Sequence, residues 1–167
     1  MKDRWEIHRE IHQDEVQYTV DWSPWGSMDR WVINRMVPSE AGLFQLWLRE
    51  DKNFFLRVTE PTYFGGLRNS LREVIDELAP SGRRLRLMLE GRECRFRFSV
   101  TPVREYLEEL KEWFDKGGGG LNEDGLEILV HESEDFRLFP APPPDVKFIE
   151  RKEFKDSDFG PPLPGVY

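Results

Sequence analysis

The chain has one cysteine, no long apolar run and no excess of basic charge, and each shortage excludes a class of protein. Cys94 alone can form neither an internal disulfide nor a cysteine-based zinc cage. No apolar stretch approaches the roughly 18 residues that cross a bilayer, and no charged leader runs into an apolar segment. The expectation is a cytoplasmic protein without a membrane contact. A formal net charge of −8 argues against a surface that grips polyanions over its whole extent.

What is present supports a folded domain. In 167 residues, 38% are apolar and 34% charged, enough of the first to bury a core. Four of the six tryptophans (Trp5, Trp22, Trp25, Trp31) fall within the first 31 positions, so the N-terminal segment carries large apolar rings that need packing. Residues 1–35 read as a tryptophan-rich hairpin lobe, 36–139 as an α+β core, and 140–167 as a proline-rich extended tail.

Residues 4–11 and 16–22 have the alternation of a hairpin, with Val16, Tyr18, Val20 and Trp22 on one face. Ser23 to Ser27 reads as a loop, and a short strand is expected over 30–35. Leu43–Leu48 and Phe54–Val58 read as strands joined by the turn residues Asp51-Lys52-Asn53. A helix follows over 66–78, with Leu67, Leu71, Val74, Ile75 and Leu78 at helical spacing. Leucines at 85, 87 and 89, then Cys94, Phe96, Phe98 and Val100, predict a second hairpin. Thr101-Pro102 starts a helix over 102–116, which Gly117–Gly120 ends. Leu126–Val130 reads as a strand. The fold expected is α+β: an antiparallel-rich sheet, two main helices packed on it, and the proline-rich C-terminal extension.

The strand–strand–helix–strand–helix order from Gly42 to Lys116 resembles the GIY-YIG nuclease family. Pro38 and Gly42-Leu43-Phe44 stand where that family has its first motif, and Phe55-Leu56-Arg57 where it has its second. Arg68 or Arg72 matches the family's helix arginine, and Glu108 its metal ligand. The resemblance implies a nuclease scaffold, and, for an enzyme, Arg68, Arg72 and Glu108 with Mg²⁺ as the catalytic set. Phe44 and Phe55 lack the phenolic hydroxyls that the family's chemistry uses to move a proton, and Arg57 replaces its glycine. The resemblance therefore implies the scaffold without the reaction, unless Tyr63 or Tyr106 supplies the missing hydroxyl.

Six arginines lie between Ser81 and Val100 against two acids. Read as a hairpin, this stretch presents Arg84, Arg86, Arg95 and Arg97 as a binding face for phosphates or carboxylates. The six acids of residues 121–139 offer intramolecular partners for the same arginines. His8 and His12 have the spacing of a helical zinc pair, but on a strand they form an exposed polar face with Glu10. Cys94 falls on the apolar side of its strand as a small buried group. The leading functional expectation is a non-catalytic binding or interaction module with a protein partner or a second copy of itself. Nucleic acid is an alternative partner. A metal-dependent nuclease or phosphodiesterase and a structural or assembly subunit are the other two functional readings. The tail prolines, 142–144 and 161–164, can dock into an aromatic groove of a partner or onto the protein's own tryptophans.

Overall fold

The computed structural model describes residues 4–139 and the two-residue strand at 154–155, so the tail expectations lie outside the described residues. In chain order the elements are β1 (Ile7–His12), β2 (Glu15–Asp21), β3 (Trp25–Ser27), α1 (Arg30–Met36), β4 (Gly42–Glu50) and β5 (Asn53–Thr62). Then come α2 (Gly66–Ile75), a 3-10 turn at Pro80–Gly82, α3 (Arg83–Leu89), β6 (Cys94–Val100) and α4 (Arg104–Asp115). The last are β7 (Glu127–Ser133), β8 (Leu138–Phe139) and β9 (Phe154–Lys155). Among the described residues, no helix is long and apolar enough to cross a membrane.

The strands make two sheets, one of order β1-β2-β7 and one of order β8-β3-β6-β4-β5-β9. Most pairings are antiparallel; β2 with β7 and β3 with β8 run parallel. The α+β class expected from the sequence holds, with its strands divided between two sheets.

Alternation along β4 and β6 sets the layers. Phe44, Leu46 and Leu48, with Phe96 and Phe98, point to a core closed by Val32 and Ile33 of α1, Leu67, Leu71 and Val74 of α2, and Leu85 of α3. Leu43 points the other way, into a second core with Val16, Tyr18, Val20 and Trp22 of β2 and Leu107 and Leu110 of α4. Helices α1–α3 therefore cover one face of the larger sheet, while α4 and the three-stranded sheet cover part of the other.

Two segments expected as strands are helices. Over 30–35, Asp29 caps α1 by accepting the Val32 N–H through its side chain at 3.0 Å, and Val32, Ile33 and Met36 gather on one side at helical spacing. Over 83–89, Leu85, Met88 and Leu89 face the core at i, i+3 and i+4, while Leu87 turns outward. Leucine, methionine and arginine all favour helix, and the run holds no β-branched residue. Trp25–Ser27, expected as a loop, is a buried strand paired with β6 and β8, and Gly26 lies against the Phe96 ring with no room for a Cβ. The helix predicted to end at 78 ends at Ile75, where Asp76 takes extended backbone.

In the second core, the Tyr18 hydroxyl donates to Glu109 at 2.5 Å and Arg9 donates to the same oxygen at 3.3 Å. Burial, then the bond to Glu109, pushes the Tyr18 phenol well above its ordinary range, so it stays protonated and donating. Tyr18→Phe is expected to lose about 1 kcal/mol, since the half-buried carboxylate keeps Arg9 and forfeits one of its two donors. Thermal unfolding of the pair of proteins measures it.

Candidate interaction site

The arginines that the sequence offers as a binding face do not form one. Arg97 is 2% exposed on the inner side of β6. Its guanidinium donates to Gln45 at 2.8 Å and Glu134 at 2.9 Å, lies 3.7 Å from Glu132, and sits 4.5 Å from the centres of both the Trp22 and Trp25 rings. Glu132 and Glu134 belong to the acidic 121–139 stretch. Arg95, also buried, pairs with Glu93 at 3.1 Å. Arg86 is turned onto the end of α2, where it donates to the carbonyls of Glu73, Asp76 and Ala79. Arg84 alone is well exposed, and it pairs with Glu60 at 2.8 Å. The four therefore point in different directions, and the hairpin that would have aligned them is half helix.

The residues of the nuclease reading are likewise separated. Arg68 and Arg72 stand on α2, whose apolar side enters the first core; Glu108 stands on α4, whose apolar side enters the second. The larger sheet lies between those cores. Glu108 is held by Arg104 at 2.8 Å, and Arg104 also covers the Tyr63 ring at 4.5 Å. Tyr106 packs edge-on against Tyr18. Phe44 is a buried core ring. Among the described residues no group of three or more His, Cys, Asp or Glu side chains could hold a metal ion, and Glu108, the one carboxylate that the nuclease reading gives to Mg²⁺, is already paired with Arg104. His8 and His12 are exposed on β1, with His12 bonded to Glu10.

A different set of arginines converges. On α1, Arg30, Trp31, Asn34 and Arg35 share the exposed side. On α2, Arg68 donates to the Val37 carbonyl at the end of α1, at 2.7 Å, and Arg72 lies one turn further on the same flank. Met28, just before α1, lines a groove together with Val74 and Ile75 at the end of α2. The two helices thus run antiparallel, with Arg68 beside the end of α1 and Arg72 nearer its start. Arg30 and Arg72 form no side-chain hydrogen bond or ion pair among the described residues, and Arg35 only covers the Trp31 ring, at 4.7 Å. Helix α1 carries no acid, and Glu73, the only acid of α2, accepts from Asn69 and Ser81. Trp31, 51% exposed, is stacked by Phe139 at 5.9 Å and 14°.

At the Arg30–Arg72 end this face runs into the groove, which has a volume of about 450 Å³. Val74, Ile75, Leu89 and Cys94 give it an apolar floor, and Leu87, 58% exposed, stands on its wall. Burial pushes the Cys94 thiol up, which leaves it an inert apolar lining group.

Residues 6–167 match the model of a family described as "Uncharacterised protein". The chain belongs to that family. No curated protein and no solved structure matches it. In this family member the α1–α2 face was legible in part: Asp29 is a capping residue, and Val32, Ile33 and Met36 have helical spacing. Read as a helix, 30–36 places Arg30, Trp31 and Arg35 together. The approach of Arg68 and Arg72 to them depends on helix packing and has no sequence signal.

Proposed function

We propose that the protein is a non-catalytic interaction module that holds an acidic protein segment on the arginine face of α1 and α2. One observation carries this reading: Arg30 and Arg72, which have no carboxylate partner among the described residues, lie on one face of a protein whose other described arginines are mostly satisfied internally. Unpaired guanidinium groups recognise carboxylates through forked hydrogen bonds. A net charge of −8 repels a long polyanion at a distance, which favours a short acidic segment over nucleic acid. Trp31 supports the same choice in part, because Phe139 and Arg35 already pack on its ring and leave less of it to a base. The strand–strand–helix–strand–helix order from β4 to α4, with α3 inserted, supports a nuclease-like scaffold. The separation of Arg68 and Arg72 from Glu108 supports its use without the reaction.

Fluorescence anisotropy with a labelled oligo-glutamate peptide and a labelled single-stranded DNA tests the reading. The peptide is expected to bind at low salt and to weaken as salt rises. Arg30→Ser with Arg72→Ser is expected to lower its affinity at least about tenfold. DNA binding tighter than peptide binding, or Mg²⁺-dependent shortening of the DNA, overturns the proposal.

A further inference from the structure

β1 leaves one side of its backbone open. The Asp21 N–H donates to the Glu6 carbonyl at 3.1 Å, and an unbroken antiparallel register then runs from Ile7 opposite Val20 to His12 opposite Glu15. In such a ladder the residues that exchange hydrogen bonds alternate. Glu6, His8, Glu10 and His12 therefore direct their backbone groups to β2, while those of Ile7, Arg9 and Ile11 point away from it. β1 is the end strand of its sheet, so no further strand meets them. The bridge of Glu6 to Val100 closes the edge at its start, and beyond it Arg9 and Ile11 have no backbone partner among the described residues.

The other long edges are blunted, as sheet edges usually are. β5 carries Pro61 and a register shift opposite Leu46 and Trp47, and β9 covers its start. Outside β7, Leu121 bridges Glu127, and the Ile128 N–H donates to the Gly120 carbonyl at 3.3 Å. β1 has neither proline nor bulge, and Ile11 near its far end is 57% exposed.

β1 has a charge pattern instead, and the pattern selects its neighbour. Glu6-Ile7-His8-Arg9-Glu10-Ile11-His12 reads as its own complement. Laid antiparallel on a second copy about Arg9, it sets Ile7 opposite Ile11 and His8 opposite Glu10, each twice, with Glu6 and His12 matched at the rims. The imidazole can donate to the carboxylate, and Ile11 leaves water beside an Ile7 that already belongs to the second core. The same register brings the outward backbone groups of Ile7, Arg9 and Ile11 face to face. A slip of two residues sets Glu10 opposite Glu10 or Glu6 and an isoleucine opposite Arg9, and a slip of one brings groups already bonded to β2 to the seam. Only Arg9 meets its like. Its guanidinium is held by its own α4, donating to Glu109 at 3.3 Å and lying 5.7 and 5.5 Å from the Tyr18 and Tyr106 rings.

We infer that two copies of the chain pair through β1, antiparallel about a two-fold axis at Arg9, and join their three-stranded sheets into one. The three-stranded sheet and the α1–α2 arginine face lie on opposite sides of the larger sheet. The pairing is therefore independent of the interaction-module reading, and it leaves that face open on each copy.

Sedimentation equilibrium of the full chain tests the inference. The average mass is expected to rise with concentration from 19.9 kDa toward twice that value and no further. Ile11→Lys and Glu10→Lys, both at exposed positions, are each expected to weaken association at least about tenfold, because each places an unmatched cation in the seam twice. His8→Glu, also at an exposed position, is expected to do the same by facing Glu10. A mixture of the Glu10→Lys and His8→Glu proteins is expected to recover the association. There the introduced lysine faces the introduced glutamate, and His8 of one copy faces Glu10 of the other. A mass that stays at 19.9 kDa up to about 1 mM overturns the inference. A dimer that all three variants keep places the contact elsewhere and overturns it too. So does a mixture that stays monomeric while both proteins unfold at the wild-type midpoint, and masses beyond the dimer overturn the closed pairing.

Discussion

Arg97→Ala is expected to destabilise the protein by roughly 3–5 kcal/mol, the cost typical of removing one partner from a buried ion pair. The side chain is 2% exposed, and its acidic partners Glu132 and Glu134 are nearly as enclosed. Without the guanidinium, two carboxylates that water cannot reach freely lose the cation between them. Gln45, which accepts from Arg97 and donates to Thr59 at 3.1 Å, loses its place in the relay across β6, β4 and β5. Trp22 and Trp25 lose a cation from the faces of their rings. Urea unfolding, with the midpoint and slope both fitted, measures the loss. Arg97→Met combined with Glu132→Gln and Glu134→Gln should recover part of it, because the charges leave together. Arg104→Ala, at an exposed i, i+4 pair screened by solvent, should change stability little and calibrates the comparison. An Arg97→Ala variant as stable as Arg104→Ala would mean that the carboxylates are hydrated, contrary to the enclosure described above.

The second large effect is expected at Gly42. A Cβ there would lie 2.3 Å from the Ser99 oxygen and 2.7 Å from Leu67 Cδ1. The oxygen is backbone on β6, the neighbour of β4 within the sheet, and cannot move without pulling the two strands apart. Gly42→Ala should therefore cost about 3 kcal/mol, at the upper end of what overpacking does. Gly119→Ala offers the contrast. Its φ is +78°, but nothing lies within 4 Å of the added carbon, so only backbone strain of about 1–2 kcal/mol is expected. Thermal or urea unfolding of the two variants separates crowding from strain. Gly42 is also the glycine on which the nuclease resemblance rests, and packing against Ser99 and Leu67 requires it without any such motif.

These two sites mark where the sequence was readable. The period-2 alternation of β2, β4 and β6 and the apolar stripes of α2 and α4 were legible because burial on one side writes itself into the spacing. The fate of Arg95 and Arg97 was half legible. Alternation put them opposite Phe96 and Phe98, and the acidic 121–139 stretch offered partners, but only the second layer on that side of the sheet makes the position interior. Residues 30–36 and 83–89 misled for a common reason. Each is a single short turn or two, too brief for alternation and helical spacing to be told apart, so the Asp29 cap and the absence of β-branched residues in 83–89 carried more information than the apolar pattern. The groove and the arginine face arise from packing between α1, α2 and α3, and no local pattern encodes that.

The parallel pairing of β2 with β7 has a consequence for how the chain is made. Glu15 lies opposite Glu127, and the register continues to Asp21 beside Ser133. The sheet that buries Val16, Val20 and Trp22 is therefore missing its third strand until more than a hundred further residues have left the ribosome. Through that interval β2 keeps an unpaired edge open to whatever else is nascent nearby, although Leu43 and the apolar side of α4, which cover its face, are made earlier. Closure over such a separation is also slow, which makes docking of β7 the natural late step of folding.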